Sequence, residues 1–113
     1  KYEVIGINNT GYGLKNFNRI KEKIEFFINN PIKPQAIFRL MQKESNFNDK
    51  QMYQKFNMGM GFFIIAKKDN TEDILKIIKK QKQEAEIVGE VRKAKRTRTT
   101  LVKGNKKIVF SGY

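Results

Sequence analysis

Neither cysteine nor histidine occurs in the 113 residues of this chain. The first absence excludes a disulfide framework, a thiolate zinc site and a cysteine nucleophile. The second removes the commonest general base and the commonest metal ligand. Catalysis housed wholly in this chain would fall to carboxylate, lysine, tyrosine or backbone groups, so a complete enzyme is not expected. Long apolar runs are missing too. Nothing approaches the roughly 18 to 20 residues of a membrane span and no secretory signal is present, so a soluble, cytoplasmic domain is expected. Acidic residues form no metal set: Asp69, Glu72 and Asp73 suit the electrostatics of a helix start instead.

What is present describes one domain, residues 1–113. A chain of this length buries about 65% of its unfolded surface without staples. Apolar residues make up 39%, and thirteen aromatics accompany them, a globular composition. The net charge of +13 is uneven. Residues 1–90 carry sixteen basic side chains against all eleven acids, which leaves +5, whereas residues 91–113 carry eight basic residues and no acid. The basic terminal segment, 92–113, fits either a phosphate-rich partner or a solvated strand pair. The chain opens at Lys1 without methionine, and strand-like sequence starts at Tyr2. A piece of a longer protein is expected.

Periodicity predicts the following elements. Strands cover Tyr2 to Ile7, Lys23 to Ile28, Phe62 to Ala66 and Ala85 to Val91, the last with Gly89 inside it. Thr99 to Val102 and Lys106 to Phe110 flank a hairpin tip at Gly104-Asn105. A short helix begins near Gly13 and runs to Arg19. A second begins at Pro34 with Ile37, Leu40 and Met41 on one face. A third is capped by Asn48 or Asp49, with Met52 and Phe56 four apart. A fourth is capped by Asn70 with Asp73 as reciprocal partner, runs to about Gln83, and turns Ile74, Ile77 and Ile78 into the core. The fold class is α+β, a mixed sheet layered with helices.

Two glycine-bearing corners are candidates for chemistry. Asn8-Asn9-Thr10-Gly11-Tyr12-Gly13 links a strand to a helix start, and consecutive N–H groups in such a turn can cradle an anion. Gly11 and Gly13 permit the special dihedrals, and Thr10 offers a hydroxyl. The second corner, Phe56-Asn57-Met58-Gly59-Met60-Gly61, enters the strand at Phe62. Glycine at a strand entry marks a close approach by backbone or ligand. Asn57 can donate and accept, which suits an amide or ribose contact. Both corners also read as ordinary packing turns. As a ligand site the residues are Thr10, Gly11, Gly13, Asn57 and Gly59, with Asn8, Tyr12 and Gly61 beside them. Arg39 reads as a helix-surface residue.

The second corner resembles the Phe-Asn-x-Gly-x-Gly signature of the aminoimidazole ribonucleotide synthetase (phosphoribosylformylglycinamidine cyclo-ligase) family. Further matches follow in order. Thr10, Gly11, Gly13, Leu14, Asn16 and Arg19 resemble that family's Thr-Gly-Gly-Gly loop and its sequel. Pro34 to Gln42 resembles a Pro-x-x-Ile-Phe-x-x-Leu-Gln helix, and Ala85 to Glu90 an Ala-x-x-Ile-Gly strand. The chain departs from the pattern at Asn8 for histidine, Asn9 for isoleucine and Tyr12 for glycine. Tyr12 lacks glycine's freedom at positive φ, so a reshaped loop is expected there.

The resemblance implies the C-terminal domain of a two-domain, homodimeric ATP-dependent enzyme whose substrate is a phosphorylated ribonucleotide. It implies that ATP and magnesium are bound mainly by an N-terminal domain, which is absent from this sequence, and that this chain alone is inactive. Relatives in selenophosphate synthesis, hydrogenase maturation and thiamine-phosphate phosphorylation share the architecture. A competing reading is a basic nucleic-acid-binding module using Arg92, Arg96 and Arg98, with Tyr2, Phe110 and Tyr113 as stacking surfaces. On the favoured reading the two corners lie side by side and hold an anionic group with main-chain donors.

Overall fold

Five residues rich in branched and aromatic side chains, Phe62-Phe63-Ile64-Ile65-Ala66, form strand β3 (Phe62–Ala66), as their β-propensity predicts. The structure, a computed structural model, describes residues 4–112. β3 pairs antiparallel with β1 (Val4–Asn8), placing Val4 opposite Ala66 and Asn8 opposite Phe62. A second sheet holds β4 (Gly89–Lys93), β2 (Ile24–Ile28), β5 (Arg98–Lys103) and β6 (Lys106–Ser111), in that order. β2 and β5 run parallel and the other pairs antiparallel. The architecture is α+β with a mixed sheet, accompanied by a separate antiparallel pair.

Residues Gly13–Arg19 tie the two sheets together, as a 3-10 helix. The buried ring of Phe17 stacks on Phe26 of β2 at 4.6 Å and meets Phe63 of β3 edge-on at 4.6 Å. Asn18 Nδ2 donates to the carbonyls of Phe110 and Gly112, and Asn18 Oδ1 accepts from Thr99 Oγ1. Leu14, Ile28, Met52, Tyr53, Met58, Met60, Leu101 and Phe110 complete the core around them.

Helix α2 (Asp49–Lys55) starts on a reciprocal cap. Asn48 Oδ1 accepts from the N–H of Gln51, and Gln51 Oε1 accepts from the N–H of Asn48. Helix α1 (Ala36–Ser45) begins two residues after Pro34, behind Gln35 in extended conformation. Its expected inner face is only partly covered: Ile37 and Leu40 are exposed, Met41 packs half-buried against the core, and Phe38 reaches Phe56, with ring centroids 6.3 Å apart. Helix α3 (Thr71–Lys80) stops earlier than predicted, since Lys82 turns left-handed at φ 59°. Asn70 makes no side-chain cap; Thr71 Oγ1 instead donates back to the Lys68 carbonyl. Ile74, Leu75 and Ile78 face inward only partly, and Ile77 is exposed, so the predicted isoleucine stripe is not core.

The acid-free segment is built into the larger sheet. β4 starts at Gly89, where the predicted strand placed it mid-way, because only glycine fits there: a Cβ would lie 2.0 Å from the Phe27 carbonyl oxygen. The β5–β6 hairpin turns through Gly104 at φ 60°, with Lys103 opposite Lys106. Phe110 is fully buried and offers no stacking surface; Tyr2 and Tyr113 lie outside the described residues. Much of the charge is answered: Arg98 pairs with Glu25 at 3.0 Å, and Arg92 lies over the Phe27 ring beside Glu90. Among the described residues no helix is long and apolar enough to cross a membrane.

Candidate functional site

The first corner leaves β1 at Asn8 and closes as a turn in which the N–H of Gly13 donates to the Thr10 carbonyl at 3.2 Å. Tyr12 occupies its third position at φ 71°, ψ −5°, the geometry that favours glycine in a type II turn. The tyrosine accepts the left-handed conformation, at a cost of about 1–2 kcal/mol. Gly13 follows at φ 51°. A Cβ on it would sit 1.9 Å from the Tyr53 carbonyl oxygen and 2.8 Å from that of Phe56, so this loop rests directly on the C-terminal end of α2.

The second corner is a turn from Asn57 to Met60, closed by the Met60 N–H on the Asn57 carbonyl at 2.9 Å. Both central residues are left-handed, Met58 at φ 52° and Gly59 at φ 93°, as in a type I′ turn. Asn57 Oδ1 accepts from the N–H of Gly59 at 2.9 Å, a local bond that asparagine is suited to make. Gly59 also lies against Gln35, whose Oε1 would be 2.9 Å from a Cβ there.

Asn9 joins the corners. Its N–H donates to the Gly61 carbonyl at 2.9 Å and its Nδ2 to the Met60 carbonyl at 2.8 Å. Its Oδ1 accepts from Asn16 Nδ2, which also donates to the carbonyls of Gly11 and Gly13. Asn9 is only 2% exposed. Sequence reading treated it as a mere departure from a pattern; the signal was the asparagine pair at positions 9 and 16, which exposes no function until the chain folds. Gln35 was missed likewise.

The predicted residues thus divide. Thr10, Gly11, Tyr12, Asn8 and Gly61 are exposed, Asn57 and Gly59 are half-buried, and Gly13 is buried. A Cβ on Gly11 would meet open space, and its φ is not left-handed. The main-chain donors of Gly13 and Gly59 are already engaged inside their own turns. Asn57 Nδ2, the Thr10 hydroxyl and the Gly11 N–H form no hydrogen bond within the described residues.

Charge enters from beneath. Asp49, at the start of α2, accepts from Gln42 at 3.0 Å and pairs with Lys103 at 3.3 Å and Lys106 at 3.4 Å. The Gln42 hydrogen bond, helped by both lysines, lowers its pKa below the usual carboxylate value despite partial burial. This clamp fixes α2, and with it the two carbonyls on which Gly13 rests. Burial, with Asp49 nearby, raises the Tyr53 phenol. On the larger sheet the buried Glu25 carboxylate is pushed down by the Thr100 hydroxyl and by Arg98. Among the described residues no three acidic side chains converge to hold a metal.

Comparison with known proteins adds a family and a set of relatives. Residues 15–102 match the family described as AIR synthase related protein, C-terminal domain. A protein of Methanopyrus kandleri named phosphoribosylformylglycinamidine cyclo-ligase is 35% identical over 91 residues, covering 80% of this chain and 26% of that protein. A protein of the same name from Methanocaldococcus jannaschii is 32% identical over 82 residues, 73% of this chain and 23% of its own length. One from Methanosarcina acetivorans reaches 48% over 56 residues, covering 50% of this chain and 16% of its own. The chain spans about a quarter of the length of the first two relatives.

Proposed function

The chain belongs to the AIR synthase related protein family, as a C-terminal domain of that kind, and from this premise we propose that it is the ligand-positioning domain of an ATP-dependent phosphoribosylformylglycinamidine cyclo-ligase acting in the cytoplasm. The observation that carries the reading is the joined pair of corners. Asn9 and Asn16 hold two turns in one register, and the groups left outward are a hydroxyl, a main-chain N–H and an amide.

Thr10, Gly11 and the Asn57 amide touch the phosphate or ribose of the ribonucleotide, while Gly13 and Gly59 set the shape of the turns. Orientation is the contribution: fixed donors at a preformed corner cost no rearrangement when substrate arrives. ATP supplies the phosphoryl group that makes the substrate oxygen a leaving group. On this reading ATP and magnesium are bound mainly by the rest of the protein. A full-length chimera, with this chain replacing the matched quarter of the Methanopyrus kandleri protein, tests the reading. It is expected to close the ring, with Asn57→Ala lowering kcat/KM at least tenfold, whereas this chain alone turns nothing over. An inactive but folded chimera, or turnover by the isolated chain, would overturn the proposal.

A further inference from the structure

Five exposed cations gather at one end of the larger sheet. Lys21 and Lys23 lead into β2, Lys93 ends β4, and Lys95 and Arg96 lie on the connection from β4 to β5. Among the described residues the ion pairs belong to Arg92, Arg98, Lys103 and Lys106, and none involves these five. The nearby acids on β2 and β4, Glu25 and Glu90, are taken by Arg98 and Arg92. Only Glu22 stands among the five, which leaves a surplus of four positive charges.

Topology assembles this strip. β4 and β5 flank β2, so residues 94–97 have to arch over the start of β2. Both feet of the arch are pinned. The Ala94 N–H donates to the Lys23 carbonyl at 3.0 Å. Thr97 Oγ1 accepts from the Glu22 N–H at 2.9 Å and donates to the Glu22 carbonyl. Residues 75 positions apart are thereby held side by side, although like charges on neighbouring strands repel. An anion brought to the strip relieves that repulsion.

The form of the strip indicates which anion. All five cations are exposed and spread along an arch, so they do not enclose a single phosphate. Residues 21–23 and 93–97 include no aromatic ring on which a base could stack, and Phe27 is covered by Arg92. A row of exposed cations matches phosphates repeated along a chain, and such contacts carry no base information. Of the arginines expected to bind nucleic acid, only Arg96 is left to do so.

We propose that the arch over β2, with Lys21, Lys23, Lys93, Lys95 and Arg96, is a sequence-indifferent docking strip for the phosphodiester backbone of nucleic acid. It is independent of the cyclo-ligase reading, which neither requires it nor fails with it.

Fluorescence anisotropy of the 113-residue chain with a labelled DNA duplex and a labelled RNA strand tests the strip. Binding of either supports the proposal, and the tighter of the two names the source of the backbone. Duplex affinity is expected to fall with a log–log salt slope of about −4, which is about 250-fold between about 50 and 200 mM salt. Lys95→Ala combined with Arg96→Ala should weaken binding at least about tenfold at low salt and flatten the slope by about two. Lys76→Ala combined with Lys107→Ala, the same charge change on α3 and β6, should alter affinity by less than about twofold. Unchanged circular dichroism shows that both variants fold. Equal weakening by the two pairs would mean that net charge alone binds, and would overturn the assignment. Absence of binding at low salt, equal binding of polyglutamate, or competition by inorganic phosphate beyond its ionic strength would overturn it too. So would loss of binding in the full-length chimera, since the strip would then be covered.

Discussion

Replacing Asn9 with alanine tests the join between the corners, and its magnitude follows from the bonds it makes. The variant removes the donor to the buried Met60 carbonyl at 2.8 Å and the acceptor for Asn16 at 3.2 Å. A buried carbonyl left without a partner costs about 1–3 kcal/mol. The Asn16 bond is longer, and Asn16 keeps the carbonyls of Gly11 and Gly13, so its share is about 0.5 kcal/mol. The expected total is about 1.5–3.5 kcal/mol, with the main-chain bond from Asn9 to Gly61 retained. For a domain of this size that lowers Tm by about 6–14 °C. Urea unfolding followed by circular dichroism measures it, with the m value expected to stay constant. Exchange of the Met60 amide, which closes the second turn, should accelerate alongside. A loss under about 0.5 kcal/mol, or an unaltered Met60 amide, would refute the view that Asn9 holds the two turns in register.

Three further outcomes are expected. Gly13→Ala drives a methyl into the Tyr53 carbonyl at positive φ and should cost more than about 3 kcal/mol, whereas Gly11→Ala, facing open space, should stay within about 0.5 kcal/mol; paired urea melts decide it. Tyr12→Gly releases left-handed strain but frees the unfolded chain and gives up the interaction Tyr12 itself makes, so it should change stability by no more than about 1 kcal/mol in either direction, and a larger loss in the same melts would mean the tyrosine ring is an anchor. Glu25 has a folded pKa below its ordinary 4.5, so its stabilising contribution is complete above that value and lost as pH falls through the folded one. The urea midpoint should therefore drop as pH is lowered from about 4.5, and Glu25→Gln should lower the neutral-pH midpoint while flattening that acid limb; an unchanged acid limb counts against the Thr100 and Arg98 account.

Much of the fold was legible because local rules and burial agreed. A cap at Asn48 or Asp49, the Phe62–Ala66 run and the Gly104-Asn105 hairpin each declare themselves within a few residues, and the structure chooses Asn48 for the cap. Where they disagreed, the sequence misled. Ile37, Leu40 and Ile77 have helical spacing yet stay exposed, because periodicity names an apolar face without saying what, if anything, covers it. β4 carries Glu90, Arg92 and Lys93 with almost no alternation, since an edge strand is held by its ladder to β2 more than by side-chain burial. The parallel pairing of β2 with β5 joins residues more than seventy positions apart, and no local pattern encodes it.

The corners were partly legible too. Glycine spacing located both turns, and Asn57 stood out as a side chain able to donate and accept. Their donors were not legible. Whether the N–H of Gly13 or Gly59 faces a ligand or its own turn depends on φ and ψ, and both close inward. The buried asparagines at 9, 16 and 18 carry no such signal in sequence, whereas in the fold the amides of Asn9 and Asn18 satisfy carbonyls of distant segments and that of Asn16 ties its own loop together.

Titrating the isotope-labelled chain with phosphoribosylformylglycinamidine, amide by amide in solution NMR, tests the central claim most directly. Saturable shifts gathered on Thr10, Gly11 and the side-chain amide of Asn57, with the remote hairpin at Gly104 silent, are the predicted result. No saturable shift, or shifts centred on the Lys93–Arg98 stretch, would contradict it.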